Sequence, residues 1–247
     1  YEEGKENVCF IALTYVLEPS FLGEQKSKAA QLGIKSLLSM GIQPDIIGCR
    51  CHNPVTEKVR EKISVYSNVK MENVISAHDV KSIYLLPEML KQEGMAESVM
   101  KLLSLKQKTT SSQEEDSLKK WALFTKKVRQ PKNKITIGMT GKYTVVRDSY
   151  ASIIKAFEHA GAVLDTEINL KWIETTDIEE GKLDVKEALE DVDGVLVPPG
   201  FGKRGTEGKI KCLKYVRENN IPYLGVCFGM QMAVVEYARN VLKLKNA

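Results

Sequence analysis

Cys227 lies in a stretch whose residue types and spacing suit nucleophilic chemistry. Residues 221–231 read IPYLGVCFGMQ, in which an apolar run of strand-forming residues meets Gly-x-Cys-x-Gly and continues into an amphipathic helical pattern. This is the strand, turn and helix of a nucleophile elbow, with sulfur in place of the usual hydroxyl. The glycines tolerate a tight turn, and the N-terminal N–H groups of the following helix favour a thiolate. The pattern predicts a cysteine that attacks acyl carbons.

The alternative is a cysteine that only packs in a tight turn, because free cysteines are among the most buried residues. Two neighbouring features favour catalysis. Residues 198–208, PPGFGKRGTEG, follow a predicted strand and can present backbone N–H groups to a developing oxyanion, together with the N–H of Phe228. Gln231 lies one helical turn beyond Cys227, where its amide can contact the polar end of a substrate.

The elements that must position these residues form a β/α alternation. It predicts an α/β protein with two doubly wound, mainly parallel-sheet domains joined by a linker. The predicted strands cover 8–17, 45–49, 74–76, 135–139, 167–173, 194–197 and 223–226. Six predicted helices cover 55–66, 82–90, 96–103, 150–159, 185–189 and 208–218. Two more are predicted, one that ends near residue 40 and one, after Cys227, that ends near residue 242. The first strand is an almost continuous apolar run, so we expect both of its faces to be buried.

A change in composition marks the linker. Residues 105–134 are rich in Lys, Gln, Ser, Thr and Glu and predict one amphipathic helix, whose Trp121 packs on a domain. The linker separates a first domain, 1–104, from a second domain, 135–247. In the second domain, Cys227 follows a strand, and open α/β sheets carry their sites at the carboxyl ends of strands.

Composition excludes some classes of function. The chain of 247 residues is 43% hydrophobic and has a net charge of +4, which is too mild to indicate nucleic acid as the main partner. Five cysteines without paired spacing predict free thiols in a reducing compartment. No apolar run reaches the length of a membrane span, so we expect no membrane partner and a cytoplasmic protein.

A second cysteine motif, Cys49-Arg50-Cys51-His52, consists largely of residue types that bind metal ions. Its two cysteines are only two positions apart, and a second pair of ligands is missing from the motif. We therefore predict ordinary packing for these cysteines and no metal site in this chain.

Several segments together resemble the CTP synthase family, whose members aminate UTP to CTP with ATP and take ammonia from glutamine. Residues 223–231 are similar to the nucleophile segment of the family's class I glutamine amidotransferase domain. Residues 201–208, FGKRGTEG, resemble the family's lid loop. Residues 26–31, KSKAAQ, are similar to the nucleotide-binding stretch KTKPTQ of the synthetase domain, and 138–143 resembles the strand that enters the glutaminase domain.

The resemblance implies a role for individual residues. These are Cys227 as nucleophile; Phe228 and Gly200 in the oxyanion hole; Gly200, Phe201 and Gln231 at glutamine; Lys26, Lys28, Gln31 and Lys62 at UTP or CTP; Arg50, Asp79 and Val80 at ATP; and Arg204, Gly205, Thr206, Glu207 and Gly208 in the lid, where GTP would activate. The resemblance also implies ATP with Mg²⁺ as cofactor and a homo-oligomer, a tetramer that can form filaments. From the residues alone, the two lysines at a loop-to-helix junction suit either a triphosphate or a solvated surface.

Departures from the family pattern limit what we expect of this chain alone. The family's phosphate-binding loop, its acidic magnesium ligands and its triad histidine and glutamate have no counterpart in these 247 residues, which resemble the later part of the synthetase domain and most of the glutaminase domain. We therefore expect a fragment with two incomplete domains. Pro199 stands where the family has the first glycine of PGGFG, and proline has no N–H to donate. Losing one such donor costs about 3 kcal/mol, so we expect little or no glutaminase turnover.

Two other interpretations remain open. A non-catalytic relative would keep the nucleotide or subunit surfaces and act by binding to active subunits. Another class I amidotransferase, with a different synthetase partner, would share the cysteine elbow, although the lysine stretch and the lid argue against it.

Overall fold

The computed structural model describes residues 2–21, 23–106, 111–141, 147–200 and 202–247. The chain divides into two compact units, Tyr1–Lys119 and Lys120–Ala247. Each unit contains a parallel sheet with helices in its connections, which confirms the predicted α/β class. In the described ranges, no helix combines the length and apolar character needed to span a membrane.

The first unit has a three-stranded parallel sheet in the order β1-β2-β3. Its strands are β1 (Ile11–Tyr15), β2 (Ile46–Cys51) and β3 (Val74–His78). Its helices are α1 (Lys28–Ser39), α2 (Glu57–Ser67), α3 (Leu86–Gln92) and α4 (Met95–Leu102). The next helix, α5 (Ser112–Arg129), contains the boundary between the two units. Because α1 and α2 connect successive parallel strands, the loops that precede both helices start at the carboxyl edge of the sheet.

The first strand differs from its prediction. Within the described sheet, β1 pairs only with β2. Ala12 is buried, whereas Ile11 and Tyr15 are exposed and Leu13 is 75% exposed. The prediction that both faces are buried was wrong, because nothing in the described part of the unit covers the face that carries these three large side chains.

The core of the first unit contains the second cysteine motif. Cys49 and Cys51 project from β2 into a cluster with apolar residues of α1 and α2, as the packing interpretation predicts. Burial raises the pKa of Cys49 to about 12, so this thiol stays protonated. All five cysteines are free.

The second unit has a four-stranded parallel sheet in the order β5-β4-β6-β7. Its strands are β4 (Asn133–Gly141), β5 (Thr166–Glu174), β6 (Gly194–Val197) and β7 (Tyr223–Gly225). Its helices are α6 (Ala151–Leu164), α7 (Thr175–Glu179), α8 (Val185–Leu189), α9 (Thr206–Glu218) and α10 (Phe228–Asn240). The short helix α7 was not predicted.

Strand β6 is the central support of this unit, since all four of its residues are buried. Val195 and Val197 belong to one apolar cluster and Leu196 to another, so opposite faces of the strand are covered. This double burial is typical of parallel sheets. The loop that follows β6 therefore starts from a fixed point.

The linker helix packs on the second unit through aromatic rings. The ring of Phe124 lies 5.8 Å from that of Trp121 and 5.8 Å, edge-on, from the ring of His159 on α6. The contact of α5 with α6 is made by Phe124, and Trp121 lies against Phe124 on the same helix, so the packing of Trp121 on a domain stays a prediction. His159 is the single histidine in the sequence of this unit, and it packs on α5.

Candidate active site

Cys227 lies in the turn between β7 and α10. Its φ is 53° and its ψ is −105°, a backbone conformation that L residues rarely adopt and that costs about 1–3 kcal/mol. The N–H of Val226 donates to the carbonyl oxygen of Val197 at 3.0 Å, which ties the turn to β6. Among the five cysteines, all of which the structure describes, Cys227 is the one whose side chain is exposed. The predicted strand, sharp turn and helix are all present.

Two glycines let α10 start close to the sheet. A Cβ at Gly225 would collide with the hydroxyl of Tyr223 and with the first turn of α10, and a Cβ at Gly229 would collide with the carbonyl oxygen of Val197. The hydroxyl of Tyr223 donates to the carbonyl oxygen of Gly229 at 2.6 Å. Burial raises the pKa of Tyr223 to about 12, so this hydroxyl remains a donor at neutral pH. Close main-chain packing therefore holds the elbow.

Cys227 lies at the N-terminus of α10. Cys227 is the N-cap residue, where the helix dipole favours negative charge. Gln231 is exposed one turn further on, and its backbone N–H donates to the carbonyl oxygen of Cys227 at 3.2 Å. An exposed cysteine at a helix N-terminus can act as a nucleophile.

The loop after β6 begins beside the elbow. Val197 of β6 pairs with Gly225 of β7, so the carboxyl ends of the two strands lie together. Pro199 is exposed and Gly200 is half-buried. Gly200 retains an N–H that can face an oxyanion, whereas Pro199 has none. The oxyanion-hole assignment stays a prediction, and Phe201, expected at glutamine, lies outside the described residues.

Phe228, the residue after the nucleophile, contacts a buried cation that the sequence analysis missed. The Nζ of Lys209 lies 5.1 Å from the centroid of the Phe228 ring, and Lys209 is only 2% exposed. A cation over an aromatic face is attracted by the ring quadrupole, more so when water is excluded. The sequence does carry a signal, since Lys209 occupies the same helical stripe as Leu213 and Val216.

The last four residues of the lid, 205–208, form the N-cap and the start of α9, which pack on α7. Gly205 is the N-cap of α9 and has a φ of 75°. A Cβ at Gly208 would collide with the carbonyl oxygen of Thr175, so only glycine allows this contact. The carboxylate of Glu207 accepts two hydrogen bonds from Arg239 of α10, at 2.9 and 3.1 Å. The lid is thus linked to the helix that follows the nucleophile.

The charged residues that precede the N-cap of α9 in the lid are exposed to solvent. Lys203 and Arg204 are exposed. The hydroxyl of Thr206 donates to the carbonyl oxygen of Gly202 at 3.1 Å, which closes the turn before α9. The lid therefore presents two cationic side chains where the resemblance expects GTP to act.

The first unit contains a cluster of cations, which we call the lysine surface: Lys26, Lys58 and Lys62 around Glu24. Lys26 forms an ion pair with Glu24. The hydrogen bond from Lys26 is the largest cause of the lowered pKa of Glu24, and the charges of Lys26, Lys58 and Lys62 add to it. Lys58 was missed by the sequence analysis, although its position one turn before Lys62 on α2 puts both on one helix face.

Local contacts explain how the lysine surface forms. The side chain of Gln25 accepts the N–H of Thr56 at 2.9 Å and donates to the carbonyl oxygen of Pro54 at 2.9 Å, so the loop before α1 is held at the start of α2. Lys28 is the exposed first residue of α1. Gln31 uses its side-chain amide to donate to the hydroxyl of Ser27 at 3.1 Å.

The predicted ATP residues meet at the carboxyl edge of β2 and β3. Arg50 forms an ion pair with Asp79, and the Nδ1 of His52 lies 2.7 Å from an oxygen of Asp79. These hydrogen bonds, first that of His52 and then that of Arg50, lower the pKa of Asp79. Val80 follows and is half-buried. His52 was not predicted here. Its signal is its position just after β2.

The described residues offer no metal centre of their own, since no group of three or more His, Cys, Asp or Glu side chains is placed to hold an ion. The lysine surface, in contrast, has the donor chemistry that suits a polyphosphate.

Comparisons with known proteins match both halves of the chain. The family described as "CTP synthase N-terminus" matches residues 1–105, and the family described as "Glutamine amidotransferase class-I" matches residues 145–247. The chain is 45% identical to a CTP synthase of Thermococcus gammatolerans and 45% identical to one of Pyrococcus abyssi, each over 246 residues. Both alignments cover 100% of this chain and 44% of the relative, so the chain spans less than half the length of these relatives.

Among solved structures, the chain is similar to one titled "Trypanosoma brucei CTPS - glutaminase domain with bound acivicin". The two are 37% identical, the TM-score is 0.40, and the match covers 44% of this chain and 42% of the other.

Proposed function

The chain belongs to the CTP synthase family, and on that premise we propose that it contributes to the ATP-dependent amination of UTP to CTP with ammonia from glutamine. The second unit would carry the glutaminase chemistry, and the first unit would carry part of the nucleotide site. The observation that supports the proposal best is the exposed Cys227 in a strained turn at the N-terminus of α10.

In the glutaminase reaction, the thiolate of Cys227 attacks the side-chain amide carbon of glutamine. The carbonyl π electrons move to oxygen, and the N–H groups of Phe228 and Gly200 stabilise that oxyanion. Collapse of the intermediate breaks the C–N bond, and the nitrogen leaves as ammonia after gaining a proton. Water then hydrolyses the thioester to glutamate and returns the thiol. Gln231 and Phe201 would contact the substrate.

The hydrolytic half of this cycle needs a general base near the thioester. His159, the histidine of the second unit, packs on α5. Pro199 removes one N–H from the expected oxyanion hole. We therefore propose that a polypeptide of these 247 residues forms the thioester slowly and turns over little.

In the first unit, the lysine surface with Lys28 and Gln31 would bind the triphosphate of UTP or of inhibitory CTP. Ammonium groups and an exposed helix N-terminus suit phosphate oxygens. Arg50, Asp79 and Val80 would lie at ATP. Magnesium would accompany ATP, but we assign it no ligand among the described residues.

The lid and the assembly complete the proposal. GTP would act through the lid, where Lys203 and Arg204 are exposed. Subunits would associate as a homo-oligomer, a tetramer able to form filaments, in the cytoplasm.

Pro199 favours a second candidate, which is a relative without glutaminase activity that binds nucleotides or active subunits. Such a protein would keep the lysine surface and lose glutamine hydrolysis. The two candidates differ in the selectivity of Cys227 for glutamine-shaped reagents.

The test is covalent labelling of the purified chain by the chloroketone analogue of glutamine, located by mass spectrometry. We expect Cys227 to react, free glutamine to protect it, and Cys227→Ser to abolish the adduct. Iodoacetamide serves as a reagent that reports exposure alone. If the chloroketone shows no greater preference for Cys227 than iodoacetamide shows, the glutaminase proposal is wrong. Robust ammonia release from glutamine would instead contradict the low-turnover proposal.

A further inference from the structure

Glu179, the last residue of α7, reaches the N-terminus of α9. One of its carboxylate oxygens accepts the N–H of Gly205 at 2.5 Å, and the other accepts the N–H of Glu207 at 3.2 Å. A helix leaves its first N–H groups without partners inside the helix. The N-cap residue Gly205 has no side chain to satisfy them. Glu179 therefore supplies from another helix the cap that α9 lacks.

The contact between α7 and α9 is close as well as polar. A Cβ at Gly208 would collide with the carbonyl oxygen of Thr175 and would lie 3.2 Å from the backbone nitrogen of Glu179. A Cβ at Gly205 would lie 2.7 Å from the hydroxyl oxygen of Thr175. The first turn of α9 thus packs directly on α7, and the Glu179 carboxylate lies at this contact, which we call the seam.

This seam fixes one end of the loop that runs from β6 to α9. The other end starts at Val197, whose carbonyl oxygen accepts the N–H of Val226 next to Cys227. Gly200 lies in the sequence between these two ends, three positions after Val197 and five before Gly205. A shift of α9 would therefore move the loop beside the nucleophile.

The carboxylate also decides what the helix N-terminus can bind. Free helix N-termini attract phosphate and carboxylate groups of ligands. Here the N–H groups of Gly205 and Glu207 already donate to Glu179, and its negative charge complements the helix dipole. These donors serve the fold, so a substrate oxyanion must find its donors elsewhere, at Gly200 and Phe228.

A second contact on the same turn is weaker. The ion pair of Glu207 with Arg239 joins side chains that are 54% and 37% exposed, and exposed pairs of this kind contribute little. Hydrogen bonds from backbone N–H groups to a carboxylate are stronger and less dependent on mobile side chains. Glu179 is therefore the main polar anchor of this turn.

We propose that Glu179 is a positioning residue of the glutaminase site: it anchors the N-terminus of α9 and so holds the loop of Gly200 in the geometry that receives the substrate oxyanion. This inference rests on the proposed glutaminase function of the second unit. It predicts two effects of removing the carboxylate, a local opening of the α9 N-terminus and a slower reaction of Cys227 with glutamine-shaped reagents.

Amide hydrogen exchange of the purified chain, read by NMR, tests the anchor. In Glu179→Ala we expect exchange at Gly205 and Glu207 to accelerate roughly tenfold or more, because two charge-assisted hydrogen bonds are lost. Glu179→Gln keeps one acceptor oxygen and guards against a variant that does not fold; its acceleration should be intermediate. The matched control is Glu180→Ala, since Glu180 is the exposed neighbour that pairs with Lys182. Equal exchange in the wild type and Glu179→Ala would overturn the proposal.

Labelling of Cys227 tests the positioning role. With the glutamine chloroketone, we expect the maximal labelling rate to fall about tenfold in Glu179→Ala, while the iodoacetamide rate and the chloroketone concentration at half-maximal rate stay unchanged. Glu180→Ala should behave as the wild type. If the wild type labels selectively and Glu179→Ala labels equally fast, the positioning role alone is wrong. If the wild type shows no selective labelling, the proposed function fails, and the positioning role fails with it.

Discussion

The elbow of the second unit and the lysine surface of the first unit are candidate sites held by different parts of the chain. Around Cys227, main-chain atoms set the geometry, since Gly225 and Gly229 lie against backbone and a hydroxyl with no room for a Cβ. Around Glu24, exposed lysine side chains meet one carboxylate. One site is fixed by close packing and the other by charge.

The difference predicts how each site responds to change. A site built from packed backbone should lose stability when a single methyl group is added, whatever the salt concentration. At a site built from exposed charges, a substitution should leave the stability of the fold nearly unchanged. Its affinity for an anionic ligand should fall when a positive charge is removed and when the ionic strength is raised. The following changes test this contrast from the largest expected effect to the smallest.

Glycine-to-alanine changes in two helices give the largest contrast. Gly229→Ala in α10 should lower the free energy of unfolding of the second unit by about 2–3 kcal/mol, because its Cβ collides with Val197. Gly33→Ala in α1 is the matched control: its Cβ would meet only the hydroxyl of Thr14, at 3.8 Å, so it should stabilise by about 0.5–1 kcal/mol. Thermal unfolding followed by circular dichroism measures both. If Gly229→Ala left the free energy of unfolding unchanged, the packing of the elbow would not be tight.

Pro199→Gly sharpens the chemical side of the elbow. Restoring an N–H to the loop should raise the maximal rate of Cys227 labelling by the glutamine chloroketone by up to about a hundredfold, the value of one oxyanion donor. The iodoacetamide rate should not change. A similar gain from Pro199→Ala, which also restores the N–H, would assign the effect to the donor. A gain with glycine alone would assign it to backbone freedom.

Substitutions in the lysine surface should have smaller, salt-dependent effects. Lys58→Met should weaken UTP binding about fivefold at low salt, the effect of one nearby charge in a partly solvated site, and less at high salt. Glu24→Gln should strengthen binding, because Lys26 loses its ion-pair partner. Lys101→Met is the control, since Lys101 pairs with Glu72, which precedes β3 at the opposite edge of the sheet. Isothermal titration calorimetry at two salt concentrations measures these affinities, and equal effects of Lys58→Met and Lys101→Met would contradict the assignment.

The smallest effect concerns pH. The pKa of Asp79 in the folded chain lies below its ordinary value of 3.8, mainly through the hydrogen bond of His52. A carboxylate with a lowered pKa stabilises the fold at pH values above the unfolded pKa, and this contribution is lost as the pH falls through the folded pKa. Asp79→Asn should therefore reduce stability slightly at neutral pH and flatten its acid dependence, with Glu61→Gln as a charge-matched control. An NMR titration that gives Asp79 an ordinary pKa would refute the contact.

The elbow was predictable because its determinants are close together in sequence. Gly-x-Cys-x-Gly after an apolar run encodes strand, turn and helix, and the structure has all three. All seven predicted strands occur, since runs of strand-forming apolar residues lie within each of them. The roles of the site residues stay predictions, because side-chain chemistry does not follow from the fold.

What the sequence did not reveal depends on distant contacts. Glu179 contacts Gly205 and Lys209 contacts Phe228, about 20 to 30 positions away in the chain, so no local pattern identifies these partners, although the helical stripe marks Lys209 as a buried position. The short helix α7 gives too few turns for a periodic signal. The exposed face of β1 shows the opposite error, because an apolar run indicates which residues favour burial and cannot show whether a neighbour is present to cover them.

The φ of 53° at Cys227 also shapes how the position can change over evolutionary time. Glycine is the residue that adopts such a backbone most readily, so a mutation to glycine there is expected to gain about 1 kcal/mol from relief of strain, before its own entropic cost. A chain that drifted without selection for a thiol would meet little resistance along that path. Cysteine at this position is thus a residue whose retention works against local strain, and competitive growth of libraries randomised at codon 227 would measure how strongly selection holds it.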